Sequence, residues 1–330
     1  MREILITRKI CEFNLRTSAG KYFSLNHPIK LWFLLWFCPL INASAADTTL
    51  MRAHFNAIIG TPEPRNFMNI ESLNQVATYI YDQFNLYGDS TVYQDFQIDG
   101  NYYKNVITSF GPRTGKRIIV GAHYDVCGEQ DGADDNASGI VALLEFARML
   151  DTVINLKYRV DLVAYSLEEP PYFGTKGMGS YIHARYLNQN NIPVLGMICM
   201  DMIGYYSDEK KSQAYPLGIL KLIYSGKGDY ITVVRCFKGG KFAREVKHEM
   251  KNTKEEIEVK SFKGPKKLIG IGFSDHLNYW RFDYSAVFIT NTGFFRNPNY
   301  HKSGDKLETL DFAKMGETID ALAETIQEIE

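Results

Sequence analysis

Short apolar runs alternate with stretches of helical periodicity from Asn69 to the end of the chain, and this alternation restricts the fold more than any other feature. Arg117–Ala122 (RIIVGA) is apolar without a polar–apolar rhythm, as a strand covered on both faces would be. Tyr158–Leu167, Val194–Met202, Asp229–Phe237 and Tyr284–Thr290 are expected to be further strands. Between them lie segments with apolar residues three or four apart. Asn69–Tyr87 carries Ile70, Leu73, Val76, Ile80 and Phe84; Asn136–Leu150 carries Ile140, Leu143, Leu144, Ala147 and Leu150. Gly177–Asn188, Lys241–Lys251 and Asp311–Ile329 complete the expected helices, with a further helix beginning at Asp275–His276. Thr91–Ile98 and Tyr103–Phe110 alternate like a hairpin or an edge pair. Strand–helix–strand order over this length predicts a three-layer α/β/α fold, its sheet mixed but mostly parallel and covered by helices on both faces. In such sheets ligands sit beyond the C-terminal ends of the strands.

Composition sets the wider bounds. Of 330 residues, 45% are apolar and 13% aromatic, ample for a large core. A formal net charge of −1 gives no basic field, so no nucleic-acid partner is expected.

The first 45 residues differ from the rest. Leu31–Ile41 (LWFLLWFCPLI) is an apolar run of eleven, preceded by Lys21 and Lys30 and followed by Ala43-Ser44-Ala45. A basic flank, a short apolar run and a small-residue site fit a secretory signal cut near Ala45. The expected organisation is therefore an export leader with an extended N-terminus over 1–45, and one catalytic domain over 46–330. The long lead-in suggests that the translation start lies downstream of Met1. The run is short for a bilayer span, so a secreted or periplasmic chain without a stable membrane span is expected. Beyond the leader three cysteines remain, Cys127, Cys199 and Cys236, too few and too sparse for a disulfide scaffold.

Acids and histidines collect at the ends of the buried runs. His123 and Asp125 follow RIIVGA, Glu168 and Glu169 follow the next strand, and Asp201 follows LGMICM. His301 lies in the loop after the last strand, and Asp134–Asp135 opens the Asn136 helix. All therefore fall at one edge of the expected sheet. Carboxylates gathered this closely repel one another and lose stability without a cation. Two imidazoles and three carboxylates without cysteine suit zinc first. Five ligands exceed what one catalytic zinc usually takes, whereas two ions sharing a carboxylate would use them all.

In this order GAHYDV, GADDNASG, SLEEP, MDMIG, FSDH and YHKSGD resemble the dizinc aminopeptidases, metallopeptidase family twenty-eight of clan MH. The resemblance spans roughly Asn69 to Glu330. It implies two Zn²⁺ per chain and a peptide substrate with a free N-terminus. It implies that His123 and Asp201 hold one zinc, Glu169 and His301 the other, and that Asp135 bridges them. Asp125 would orient the His123 imidazole, and Glu168 would be the general base that activates water. Three other readings share the fold: a single-zinc glutaminyl-peptide cyclase, a carboxypeptidase for acidic C-termini, and a metal-free receptor-like domain. The carboxypeptidase would need a basic pocket, for which Arg235, Lys238, Arg281 and Arg296 are candidates. Specificity is expected in loops 207–227 and 296–301. Tyr205 and Tyr206 are candidate cleft residues. His54, His183 and His248 are expected at the surface, and 263–267 in a solvated loop.

Overall fold

The computed structural model describes residues 45–330 apart from 223 and 225. The expected export leader therefore lies outside the described residues, save Ala45 at its end. The chain runs α1 (Thr48–Ile59), α2 (Ile70–Tyr87), β1 (Ser90–Ile98), β2 (Asn101–Phe110), β3 (Arg117–His123), α3 (Ser138–Leu150) and β4 (Arg159–Tyr165). It continues through α4 (Gly179–Gln189), β5 (Val194–Met200), β6 (Tyr230–Cys236), α5 (Gly240–Asn252), β7 (Glu258–Gly264), α6 (His276–Arg281), β8 (Ala286–Thr290) and α7 (Phe312–Glu328).

One eight-stranded sheet has the order β1-β2-β4-β3-β5-β8-β6-β7. Its centre, β4, β3, β5 and β8, is parallel. β1 and β2 form an antiparallel hairpin at one edge, and β2 pairs antiparallel with β4. Asp99 and Gly100, both at positive φ, make the hairpin turn, which matches the twist of the flanking strands. At the other edge β6 runs antiparallel to β8, and β7 follows β6 in parallel. The sheet is thus mixed and mostly parallel at its core, as the alternation predicts.

Period-two alternation splits the core into two layers. Ile118, Val120 and Ala122 of β3, with Leu162, Ile198 and Ile289, pack with α1, α2, α3, α5 and α7. Ile119, Val163, Cys199 and Phe288 point the other way, where Ala184 and Leu187 of α4 and Tyr279 and Trp280 of α6 cover them. Because the central strands are covered twice, their sequences are continuous apolar runs.

Two elements depart from the expectations. α1 is an additional helix, capped by the Asp47 carboxylate, which accepts from the amides of Thr49 and Leu50. β7 takes Lys263 and Gly264, expected in a loop, into an edge strand. Two of the histidines are also buried rather than exposed. His54 Nδ1 lies 2.7 Å from Tyr79 Oη, and His183 Nδ1 2.6 Å from Tyr279 Oη, so each has a polar partner under cover. His248 is exposed. Among the described residues no helix is long and apolar enough to cross a membrane.

Candidate metal centre

The four parallel strands end at the same edge, and each delivers one part of the site. β3 ends on His123 itself. Past it, Asp125 turns back toward the loop after β4, and its carboxylate accepts from the amides of Glu168 (3.1 Å) and Glu169 (3.0 Å). One side chain thereby fixes the backbone that presents both glutamates. His123 Nδ1 lies 3.2 Å from the Asp125 carbonyl oxygen and 3.6 Å from its Oδ1. A donor role for Nδ1 leaves Nε2 with a lone pair facing the site. Leu167, Met202 and His301 all have positive φ, at or beside the glutamates, Asp201 and the second histidine. Such sharp turns of non-glycine residues gather where surrounding structure forces side chains into a site.

The side chains converge on Asp135. His123 Nε2 lies 3.5 Å from Asp135 Oδ1 and 3.5 Å from Asp201 Oδ2. His301 Nε2 lies 3.3 Å from the other oxygen, Asp135 Oδ2, and 3.2 Å from Glu169 Oε2. One carboxylate thus faces two separate donor groups with its two oxygens. Glu168 Oε2 stands 3.9 Å from His123 Nε2. The structure brings together all seven residues singled out in the sequence.

A deeper layer holds Asp135 in place, and most of it escaped sequence reasoning. Asp305 accepts from the amides of Asp134 (2.8 Å) and Asp135 (3.0 Å). The buried Asp134 carboxylate accepts from the amides of Gly204 (2.8 Å) and Tyr205 (3.1 Å) and from the side chains of Asn291 and Asn297, both 2.8 Å. It ties the loops after β3, β5 and β8 into one unit. Asn136 caps α3 by accepting from the Gly139 amide, and its Nδ2 donates to the Met200 carbonyl. Arg65, fully buried, donates to the carbonyls of Tyr124, Asp131 and Gly132. Gly132 needs its positive φ of 60° to make that turn.

The site is strained electrostatically. Burial pushes Glu168 well above the usual carboxylate range; His123 opposes this, while Glu169 and Asp201 add to it. Burial, aided by Asp135, pushes Glu169 up to about 7. Burial would also raise Asp135, but His123 and His301 outweigh it and hold its carboxyl low. His301 is driven up to about 10, burial being overcome by Asp135 and Glu169. His123 Nε2, Asp135 Oδ2 and Glu169 Oε1 are buried and make no aligned hydrogen bond among the described residues. Buried orphans of this kind cost free energy unless something satisfies them. All three can donate an electron pair, and a cation is the group that all three can accept. The residues therefore fit a bound divalent metal. His123, Asp135 and Asp201 form one candidate metal-binding group; His123, Glu168 and Glu169 form another, as do Cys127, Glu169 and His301.

An apolar cleft opens beside these groups, about 1160 Å³ with its mouth included. Its floor is one face of three strands, with Phe288 and Thr290 of β8, Tyr230, Thr232 and Val234 of β6, and Lys260 and Phe262 of β7. Gln213–Pro216, Leu220 and Tyr224 roof it, and Phe273, Phe294, Phe295 and Tyr300 wall it. The expected specificity loops thus contribute, together with strands that were not expected to. Tyr205 and Tyr206 do not line it: Tyr206 is buried, with its hydroxyl 2.7 Å from that of Thr318 on α7. Among the described residues no arginine lines it either. Arg235 and Lys238 lie at the far edge, because β6 runs antiparallel to β8. Arg281 donates to the Gly174 carbonyl, and buried Arg296 to Gln213 and the Tyr230 carbonyl. Asp275, at the head of α6, is buried beside Ser180, while His276 bonds the Ile271 carbonyl at 2.7 Å.

The sequence profile of peptidase family M28 matches residues 105–326, which contain every residue of this cluster. The chain belongs to peptidase family M28. It is 41% identical over 270 residues to the uncharacterized protein YfbL of Escherichia coli, covering 79% of this chain and 82% of that protein. It is 26% identical over 227 residues to leucine aminopeptidase 1 of Paracoccidioides brasiliensis, 64% of this chain but only 51% of that protein. Among solved structures, the LapA aminopeptidase of Legionella pneumophila superposes with a TM-score of 0.67 at 20% identity, over 86% of this chain and 73% of LapA. A glutaminyl cyclase of Bacteroides thetaiotaomicron superposes with a TM-score of 0.63 at 17% identity, over 86% and 98% respectively. These likenesses establish the M28 fold and family; the reaction has to be argued from the site.

Proposed function

We propose that this M28 peptidase is a dizinc aminopeptidase, a metallo-exopeptidase that removes the residue at the free N-terminus of a peptide. The observation that carries the reading is the buried, hydrogen-bond-starved set of donors around Asp135. His123, Asp201 and one oxygen of Asp135 would hold one zinc; Glu169, His301 and the other oxygen would hold the second. When bound, the two ions supply an acidified water and positive charge for a developing oxyanion.

The remaining work falls to the chain. Glu168 has no metal to hold in this scheme; it lines the cleft with a carboxyl destabilised as an anion. It takes the proton of the attacking water and returns it to the departing amine. Asp125 keeps Glu168 and Glu169 in place through their amides. The surrounding carboxylates favour a positively charged substrate amine at the end of the cleft. The apolar floor and walls receive the side chain of the first residue. Among the described lining residues Lys260 is the one lysine or arginine, and its pairing with Glu258 speaks against a basic pocket for acidic C-termini. We further propose that residues 1–45 are an export leader and that 46–330 form the single catalytic domain.

The test is a panel of aminoacyl fluorogenic substrates, with an N-terminal glutamine peptide, assayed with and without chelator. Chelator-sensitive release of large apolar residues is expected. Cyclisation of the glutamine peptide without any aminoacyl release would overturn the proposal.

A further inference from the structure

Cys127 lies two residues past Asp125 on the loop leaving β3 and is partly buried. Its Sγ, a carboxylate oxygen of Glu169 and a ring nitrogen of His301 all lie within 4.8 Å of one another. Glu169 is only 4% exposed, and its Oε1 has no hydrogen-bond partner. Three electron-pair donors therefore converge, and the carboxylate among them, Glu169, carries a buried oxygen without a hydrogen-bond partner. The other two cysteines among the described residues have different surroundings. Cys199 is buried on β5 with Sγ 3.2 Å from Ser274 Oγ, and Cys236 ends β6 at the opposite edge of the sheet. All three are free thiols, so no disulfide occupies Cys127.

We propose that Cys127 is a protein ligand of the metal held by Glu169 and His301. Its thiolate donates to the ion and its proton leaves to solvent. The inference rests on the dizinc reading and makes the two sites unequal. The His123–Asp201 site offers only nitrogen and oxygen. The Cys127 site adds a soft sulfur donor, which favours zinc, cobalt and cadmium over manganese or magnesium.

Absorption of the Co²⁺-loaded full chain tests this without reference to activity. A thiolate ligand gives an intense near-ultraviolet charge-transfer band. The band is expected in the native chain and should be lost in Cys127→Ser. In parallel, zinc loading should protect Cys127 of the native chain from alkylation, as read by mass spectrometry, which needs no variant to fold. Zinc affinity of the Cys127→Ser chain should fall by at least the roughly tenfold that loss of an outer-shell partner costs. No band in the native chain, or alkylation unaffected by zinc, would overturn the Cys127 assignment while leaving the aminopeptidase reading intact. One metal per chain with the band present would instead overturn the dizinc reading and uphold the cysteine as ligand.

Discussion

At the scale of single residues, ligand and base can be separated by what each loses. Glu168→Gln keeps the shape of the side chain and removes its ability to take a proton. Zinc content should stay unchanged and kcat should fall by about 10²–10⁴-fold, the usual contribution of a general base. Loss of both metal and turnover in that variant would mean that Glu168 is a ligand. Asp305→Ala orphans the buried amides of Asp134 and Asp135 and removes the carboxylate charge that favours the buried Arg65 guanidinium. A stability loss of about 1–3 kcal/mol per orphaned group is expected by denaturant titration, together with weaker zinc binding. His123, Glu168, Glu169 and Asp201 stand out in the sequence because each ends or closely follows a buried strand run, whereas Asp135 and His301 lie in longer loops and stand out only by residue type and by the motifs around them. Arg65, Asn291 and Asn297 do not stand out. They bind carbonyls and a carboxylate contributed by distant segments, and nothing local in their sequences marks such partners.

At the scale of elements, the junction from β3 to α3 determines where Asp135 sits. Gly139, in the first turn of α3, lies against the sheet. A Cβ there would lie 2.8 Å from Ala122 Cβ and 2.9 Å from the Met200 carbonyl oxygen. Gly139→Ala should therefore destabilise the fold by about 1–3 kcal/mol, as overpacking does, and lower the melting temperature. An unchanged melting temperature would mean that the helix can retreat without cost. The central strands were readable because double coverage makes them continuously apolar. β7 was not, since an edge strand reading EVKSFKG carries lysines and offers its buried neighbours little more than Val259 and Phe262. α1 was missed because its inward stripe of Met51, Phe55 and Ile58 is short and includes His54, whose burial depends on Tyr79.

At the scale of the whole molecule, the sheet order brings four strand ends together and leaves an acid-rich edge, which on the proposed reading is filled by cations. Removing them should lower stability as well as activity. Ligand linkage gives about 4 kcal/mol for an ion present at a thousandfold excess over its Kd. Chelated protein should therefore melt below the zinc-loaded form, and added Zn²⁺ should restore the melting temperature. The fold and the edge that carries the site follow from strand–helix alternation. The cleft does not, because its floor is set by β6 turning antiparallel to β8, a choice of direction no local pattern records. The central claim is that one bridging carboxylate serves two ions. It is tested most directly by the zinc content of the purified chain after saturation and desalting. The account predicts two zinc per chain; a saturated value near one, or none retained, would contradict it.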